Sequence, residues 1–124
     1  MEWIGEFKGE FLSDGRSVRL IEGLGFVDSK GGHWQALPNS IVDGASIPRF
    51  FWRFIGGPFS GKYRRASVIH DVYCESQACD SSEVHRVFWE MMRHDNVGRS
   101  KAFLMWLAVR FFGPQFKARA TCKV

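Results

Sequence analysis

Ala66-Ser67-Val68-Ile69-His70-Asp71-Val72-Tyr73-Cys74 sets the reading of this chain, because it carries an imidazole and a carboxylate side by side in an otherwise apolar or small-residue run. Tyr63, Ala66, Ser67, His70 and Cys74 recur at i, i+3 and i+4 spacing, which predicts a helix from about Lys62 to Glu75 with His70 on its inner face. Neighbouring side chains on a helix point about 100° apart, so His70 can face a cleft while Asp71 reaches sideways to a cation or a loop.

C-terminal to this stretch, the helical period continues. Asp80-Ser81-Ser82-Glu83 supplies caps for a second helix with Val84, Val87, Phe88, Met91 and Met92 on its apolar side, and His85 lies one turn before Phe88 and Trp89. Gly98 breaks it, and Ser100 to Phe112 forms a last helix ended by Gly113-Pro114. N-terminal to it, Pro48 behind Ser46 opens a short aromatic helix, Arg49 to Ile55, which Gly56-Gly57-Pro58 stops. Residues 1 to 40 change period to that of strands: Glu6 to Leu12, a Ser13-Asp14-Gly15-Arg16 turn, Ser17 to Ile21, then Leu24 to Val27, a glycine-rich turn, and His33 to Leu37. The expected fold is therefore α+β: an N-terminal β-meander packed against three to four helices, with residues 1–114 as a single domain and 115–124 as a basic tail.

Length and composition agree with one domain. A chain of 124 residues, 45% hydrophobic and 24% charged, is ordinary globular material, which excludes disorder, collagen-like repeats and coiled coil. Twelve Phe, five Trp and two Tyr exceed what a small core needs, pointing to aromatics that meet a ligand, partner or lipid. The net charge of +4 favours anionic partners without choosing among them, and no nucleic-acid-binding motif accompanies it, so nucleic acid is not an expected partner. Three cysteines, an odd number, do not make a disulfide framework, so reduced thiols are expected, with room for one bridge. The N-terminus has no signal-peptide pattern, and the longest uncharged apolar run, Ala102 to Val109, is too short for a transmembrane segment.

Two places carry reactive groups. Asp43 precedes Gly44 at the junction of the strand and helix halves, where a carboxylate and exposed carbonyls can together surround a hard metal ion. His70-Asp71 is the other. Each alone has an ordinary structural explanation, a turn aspartate and a satisfied helix histidine. Two imidazoles, His70 and His85, with Asp43 and Asp71 would also suit zinc or manganese, although no regular ligand spacing such as HExxH supports that set.

The segments Val42-Asp43-Gly44-Ala45-Ser46-Ile47-Pro48, Ala66 to Asp71 with Tyr73, and His85-Arg86-Val87-Phe88 resemble a family of uncharacterised phage and prophage domains, over about Phe26 to Gly113. That resemblance implies a bacteriophage or prophage origin, placing the protein in the cytoplasm of an infected bacterium or in the virion. More distantly, Asp-x-x-Ser, then His-Asp with a following Tyr, then the helix of His85 and Phe88, is similar to the bacterial phospholipase A2 pattern, and Trp106 to Gly113 resembles that family's terminal helix. This second resemblance implies a phospholipase-A2-like helical core with His70 as the base that activates water, Asp71 and Asp43 as calcium ligands, and Gly44 giving its carbonyl. The chain departs from both patterns at His85, where a carboxylate that orients the base is expected, and at Ala45 and Ser67, which stand at the positions of a disulfide in such phospholipases.

Pro48 to Phe59 is the expected outward surface. Arg49, Trp52 and Arg53, with Tyr63 and Tyr73 beyond them, are a candidate substrate or partner surface, since aromatics among Arg and Lys suit an anionic lipid interface. The same aromatics would equally furnish a core. Two functions follow as expectations. One is a small metal-dependent hydrolase, or its catalytically altered descendant, acting on lipid or cell-envelope esters; the other is a non-enzymatic virion component or inhibitor of a host defence that binds a host or virion protein.

Overall fold

The computed structural model describes residues 1–15, 17–43, 61–77, 79–113 and 115. Among the described residues six strands precede three helices: β1 (Glu2–Ile4), β2 (Gly9–Phe11), β3 (Val18–Leu20), β4 (Leu24–Val27), β5 (His33–Ala36), β6 (Ile41–Val42), then a 3-10 turn at Gly61–Tyr63, α1 (Arg64–Ser76), α2 (Ser81–His94) and α3 (Arg99–Phe112). The α+β class expected from the sequence is present. The single meander is not. The strands form two antiparallel three-stranded sheets, ordered β1-β4-β5 and β2-β3-β6.

The two expected hairpins exist, but each recruits a strand from elsewhere. β2 and β3 turn through Asp14, whose carboxylate accepts hydrogen bonds from the Ser17 N–H at 2.8 Å and hydroxyl at 2.6 Å, while Gly15 takes a positive φ of 73° that Cβ-bearing residues resist. β3 then pairs with β6, Val18 opposite Val42. β4 and β5 turn through Asp28, and β4 takes β1 as its second neighbour, Trp3 opposite Phe26. Neither β1 nor β6 is apparent from alternation, because strands of three and two residues are too short for a period of two to register. β1 is held by tertiary contacts: the Trp3 ring lies 4.8 Å from that of Phe26, its Nε1–H donates to Asp95 Oδ1 at 2.9 Å, and the Arg65 guanidinium sits 4.5 Å above it.

Val18, Leu20, Leu24, Phe26, Trp34, Ala36 and Val42 all point inward and are essentially solvent-free. They meet the buried sides of the helices, where Ile69, Phe88, Met91, Met92 and Met105 complete one core. Asp28 ties the second hairpin together and to α2. Its Oδ1 accepts the N–H groups of Lys30 and Gly32 at 2.9 and 2.8 Å, its Oδ2 accepts Trp34 Nε1–H at 2.8 Å, and Arg86 of α2 reaches Oδ2 at 3.4 Å. Burial drives this carboxyl's pKa upward, but the hydrogen bonds from Trp34, Gly32, Lys30 and Arg86 outweigh it and hold the pKa below the usual carboxylate value.

The helix expected at Lys62 to Glu75 is α1, one turn of it drawn tighter, and it ends at Gln77 in the left-handed region with φ 55°. It is buried more widely than a single stripe, with Ala66 to Asp71 all shielded, because strands cover one side and α2 the other. Asp80 stands at the α2 N-cap as expected, with its backbone carbonyl accepting the Glu83 and Val84 N–H groups and no side-chain cap bond. The expected helix at Arg49 to Ile55 lies outside the described residues, as does most of the C-terminal tail. The expectation of reduced thiols is corrected in part: Cys79 is disulfide-bonded, whereas Cys74 is a buried free thiol.

Candidate functional site

Asp43 follows β6 directly, and β6 is fixed by its pairing to β3. Its backbone N–H donates to Asp71 Oδ2 at 3.1 Å, so the end of the second sheet is fastened to the middle of α1. Asp71 is 4% exposed, and its carboxylate therefore sits at the wall between strand and helix rather than in open solvent. Two sequence-distant acidic residues thus share one corner.

His70, the preceding residue, turns toward α2. Its Nε2 lies 2.9 Å from His85 Nδ1, with both side chains wholly buried. One ring donates and the other accepts, so a single N–H proton occupies the gap between them. Phe88, one turn beyond His85 on α2, lies against the His70 ring with centroids 4.4 Å apart, and Cys74 Sγ approaches the ring nitrogens at 3.7 and 3.8 Å. Burial, and then the charge that His85 would carry, hold the His70 pKa well below its usual value. His70 is consequently neutral near pH 7. Burial also pushes the Cys74 thiol upward, reinforced by the Asp71 charge, so it stays protonated.

His85 therefore occupies the hydrogen-bonding position where the sequence pattern led one to look for a carboxylate. An imidazole there sets the orientation of His70 but offers no negative charge to an imidazolium. Ser67, one turn before Asp71, is buried, and its Oγ has no hydrogen-bond partner among the described residues. Nothing in the sequence marks that hydroxyl as unusual, since its isolation comes from the packing around it.

The structure brings together four of the expected residues: Asp43 with Asp71, and His70 with His85. Tyr63, expected at a surface, is 3% exposed and belongs to the core, with the Lys101 ammonium 5.6 Å from its ring centroid. Tyr73 is half-buried; its Oη accepts the Gln35 N–H at 3.0 Å and its ring meets Trp34 edge-on at 4.7 Å. Gly44, Arg49, Trp52 and Arg53 lie outside the described residues. Among the described residues, no group of three or more His, Cys, Asp and Glu side chains is placed to hold a metal ion.

A family model described as "Protein of unknown function (DUF1353)" matches residues 18–109. The uncharacterised protein y4jT of Sinorhizobium fredii (strain NBRC 101917 / NGR234) is 40% identical over 121 residues, covering 93% of this chain and 36% of that protein. The uncharacterised protein y4iH of the same organism is 41% identical over 93 residues, covering 75% of this chain and 39% of that one. The chain thus spans little more than a third of the length of these curated relatives. No solved structure matches it.

Proposed function

The chain belongs to the DUF1353 family, and from that membership together with the buried His70–His85 pair beside the Asp43–Asp71 corner we propose that it is a small phage-type, phospholipase-A2-like hydrolase scaffold, catalytically altered at His85, whose substrate class is a lipid or cell-envelope ester. The observation that carries this reading is the 2.9 Å approach of His70 Nε2 to His85 Nδ1. A base needs a partner on its far nitrogen, and α2 supplies one.

In this reading His70 Nδ1 is the atom that takes a proton from water, because Nε2 is committed to His85. His85 orients the ring, and Phe88 keeps it from rotating. Both rings are closed off from solvent, so proton transfer follows an opening of the structure over His70. The depressed basicity of His70 makes the step slow.

The corner's donors are oxygens, which suits a hard cation: Asp71 is pinned by the Asp43 N–H with its carboxylate beside the Asp43 backbone. Asp43 and Asp71, with the Gly44 carbonyl, would hold calcium. When bound, such an ion polarises an ester carbonyl and stabilises the oxyanion. Zinc or manganese would require the two imidazoles, which are engaged with each other.

The test is fatty-acid release from phosphatidylglycerol vesicles with calcium, zinc or manganese, alongside calorimetry of each ion. Slow release that His70→Ala abolishes, and calcium binding lost in Asp43→Ala and Asp71→Ala, are expected. Absence of release by both the wild-type protein and His85→Asp in every ion would overturn the proposal.

The complete burial of both rings favours a second reading, a non-enzymatic virion component or host-defence inhibitor that retains the scaffold. A stable complex with a host or virion protein, unaffected by His70→Ala, would support that reading.

A further inference from the structure

α3 is apolar on the side it buries and also on the side it shows to solvent. Ala102, Met105, Ala108 and Val109 face the core. Trp106, Phe103, Leu107, Phe111 and Leu104 share the opposite stripe, roughly 160° wide at helical spacing, with Arg99, Ser100 and Arg110, so five of its eight residues are bulky and apolar. Phe103 is 53%, Leu104 36% and Phe111 63% exposed. A solvated helix ordinarily puts charge on that face. This one carries no acidic residue anywhere along its length, and its charged residues are Arg99, Lys101 and Arg110.

The stripe is continuous with a groove of about 350 Å³ between α2 and α3, which Trp89 lines together with Phe103, Trp106 and Arg110. Phe103 thus stands at the groove's edge and on the exposed face at once, with the half-buried Trp106 beside it.

We propose that this face of α3 lies on an anionic lipid surface, with Phe103, Leu104, Leu107 and Phe111 in the headgroup boundary and Arg99 and Arg110 against the lipid phosphates. The charge pattern selects this occupant. A second copy docked face to face would set Arg99 and Arg110 against the same cations, whereas an anionic surface neutralises them. Apolar and aromatic side chains framed by Lys and Arg are the composition of helices that lie in a membrane interface. Among the described residues no helix is long and apolar enough to cross a membrane. The inference is independent of the hydrolase reading, because none of these side chains belongs to the His70 site. It assigns the lipid-facing surface to α3, whereas the stretch between Pro48 and Phe59 that the sequence indicated lies outside the described residues.

The experiment is co-sedimentation of the whole chain with vesicles of phosphatidylcholine alone and of phosphatidylcholine mixed with phosphatidylglycerol, at low and high salt, beside size-exclusion chromatography without lipid. Wild-type protein and His70→Ala should both bind the anionic vesicles about tenfold more tightly than the neutral ones, and less well at high salt. Phe103→Glu with Phe111→Glu should weaken that binding by about tenfold, with an unchanged circular dichroism spectrum to establish folding. Arg99→Glu with Arg110→Glu should lose the preference for anionic vesicles. Failure of the wild-type protein to sediment with either vesicle overturns the proposal, as does lipid-free self-association that Phe103→Glu with Phe111→Glu abolishes. Activity lost in His70→Ala without loss of sedimentation would separate the fate of the hydrolase reading from that of this surface.

Discussion

His70 and His85 share one hydrogen bond, 2.9 Å from Nε2 to Nδ1, across the packed faces of α1 and α2. Neither imidazole reaches solvent. The charge state of this pair therefore enters the stability of the fold.

The native state disfavours a proton on His70, because burial and then His85 depress its pKa well below 6.5. An unfolded chain takes that proton near pH 6.5. Stability is thus fully present above this value and is lost as pH falls through the window down to the folded pKa, by roughly 1 kcal/mol per pH unit. Urea denaturation at steps between pH 7.5 and pH 4.5 should show the midpoint falling, and His70→Gln should flatten that dependence.

His85→Asp should raise the His70 pKa, because a carboxylate at that site favours the imidazolium. Titration of the His70 ring protons by NMR measures this directly, and an unmoved His70 would mean that the aspartate does not reach Nε2. If the scaffold hydrolyses esters, the same variant should do so faster than wild type.

Asp28→Ala removes the acceptor for Trp34 Nε1–H and for the Lys30 and Gly32 N–H groups, leaving the buried Trp34 and Gly32 donors without partners. The expected loss is about 2–4 kcal/mol, measured by denaturant unfolding. Since its carboxyl is held below the usual value, the part of this contribution that depends on ionisation is present above about pH 3.8 and is lost as pH falls through the folded pKa. Asp28→Asn, which keeps one acceptor oxygen, should cost less than Asp28→Ala.

Asp71→Ala releases the Asp43 N–H. Amide hydrogen exchange at Asp43 should then accelerate by about tenfold, the equivalent of a hydrogen bond of roughly 1 kcal/mol, while exchange in α3 stays unchanged. Equal acceleration throughout would signal global destabilisation instead.

Cys74 is buried and its thiol is pushed up by that burial and then by Asp71. A thiol-reactive reagent at pH 8 should leave it unmodified in the native protein and label it once the chain unfolds. Rapid labelling of the native state would mean that α1 opens locally.

Much of this molecule is legible in one dimension. The helix carrying His70-Asp71, the helix carrying His85 and the last helix announce themselves through i, i+3, i+4 spacing, since each buries a stripe long enough for the period to repeat. The β2–β3 and β4–β5 hairpins are readable for a similar reason: Asp14-Gly15 and Asp28 to Gly32 satisfy their turns with local bonds. The order of Asp43, His70, Asp71 and His85 singles out the candidate site before any fold is known.

What only the tertiary structure decided is which of these pieces face each other. The pairing of β1 with β4 rests on Trp3, Asp95 and Arg65, residues remote in sequence, and the pairing of β6 with β3 splits the expected meander into two sheets. Tyr63 is core rather than surface because α2 and α3 close over it, and that depends on interhelical packing rather than on its own type. The seclusion of His70 with His85, and the outward turn of Phe103, Leu104 and Phe111, likewise follow from where three helices meet. A local pattern states what a segment can bury; only the assembled neighbours determine what remains in water.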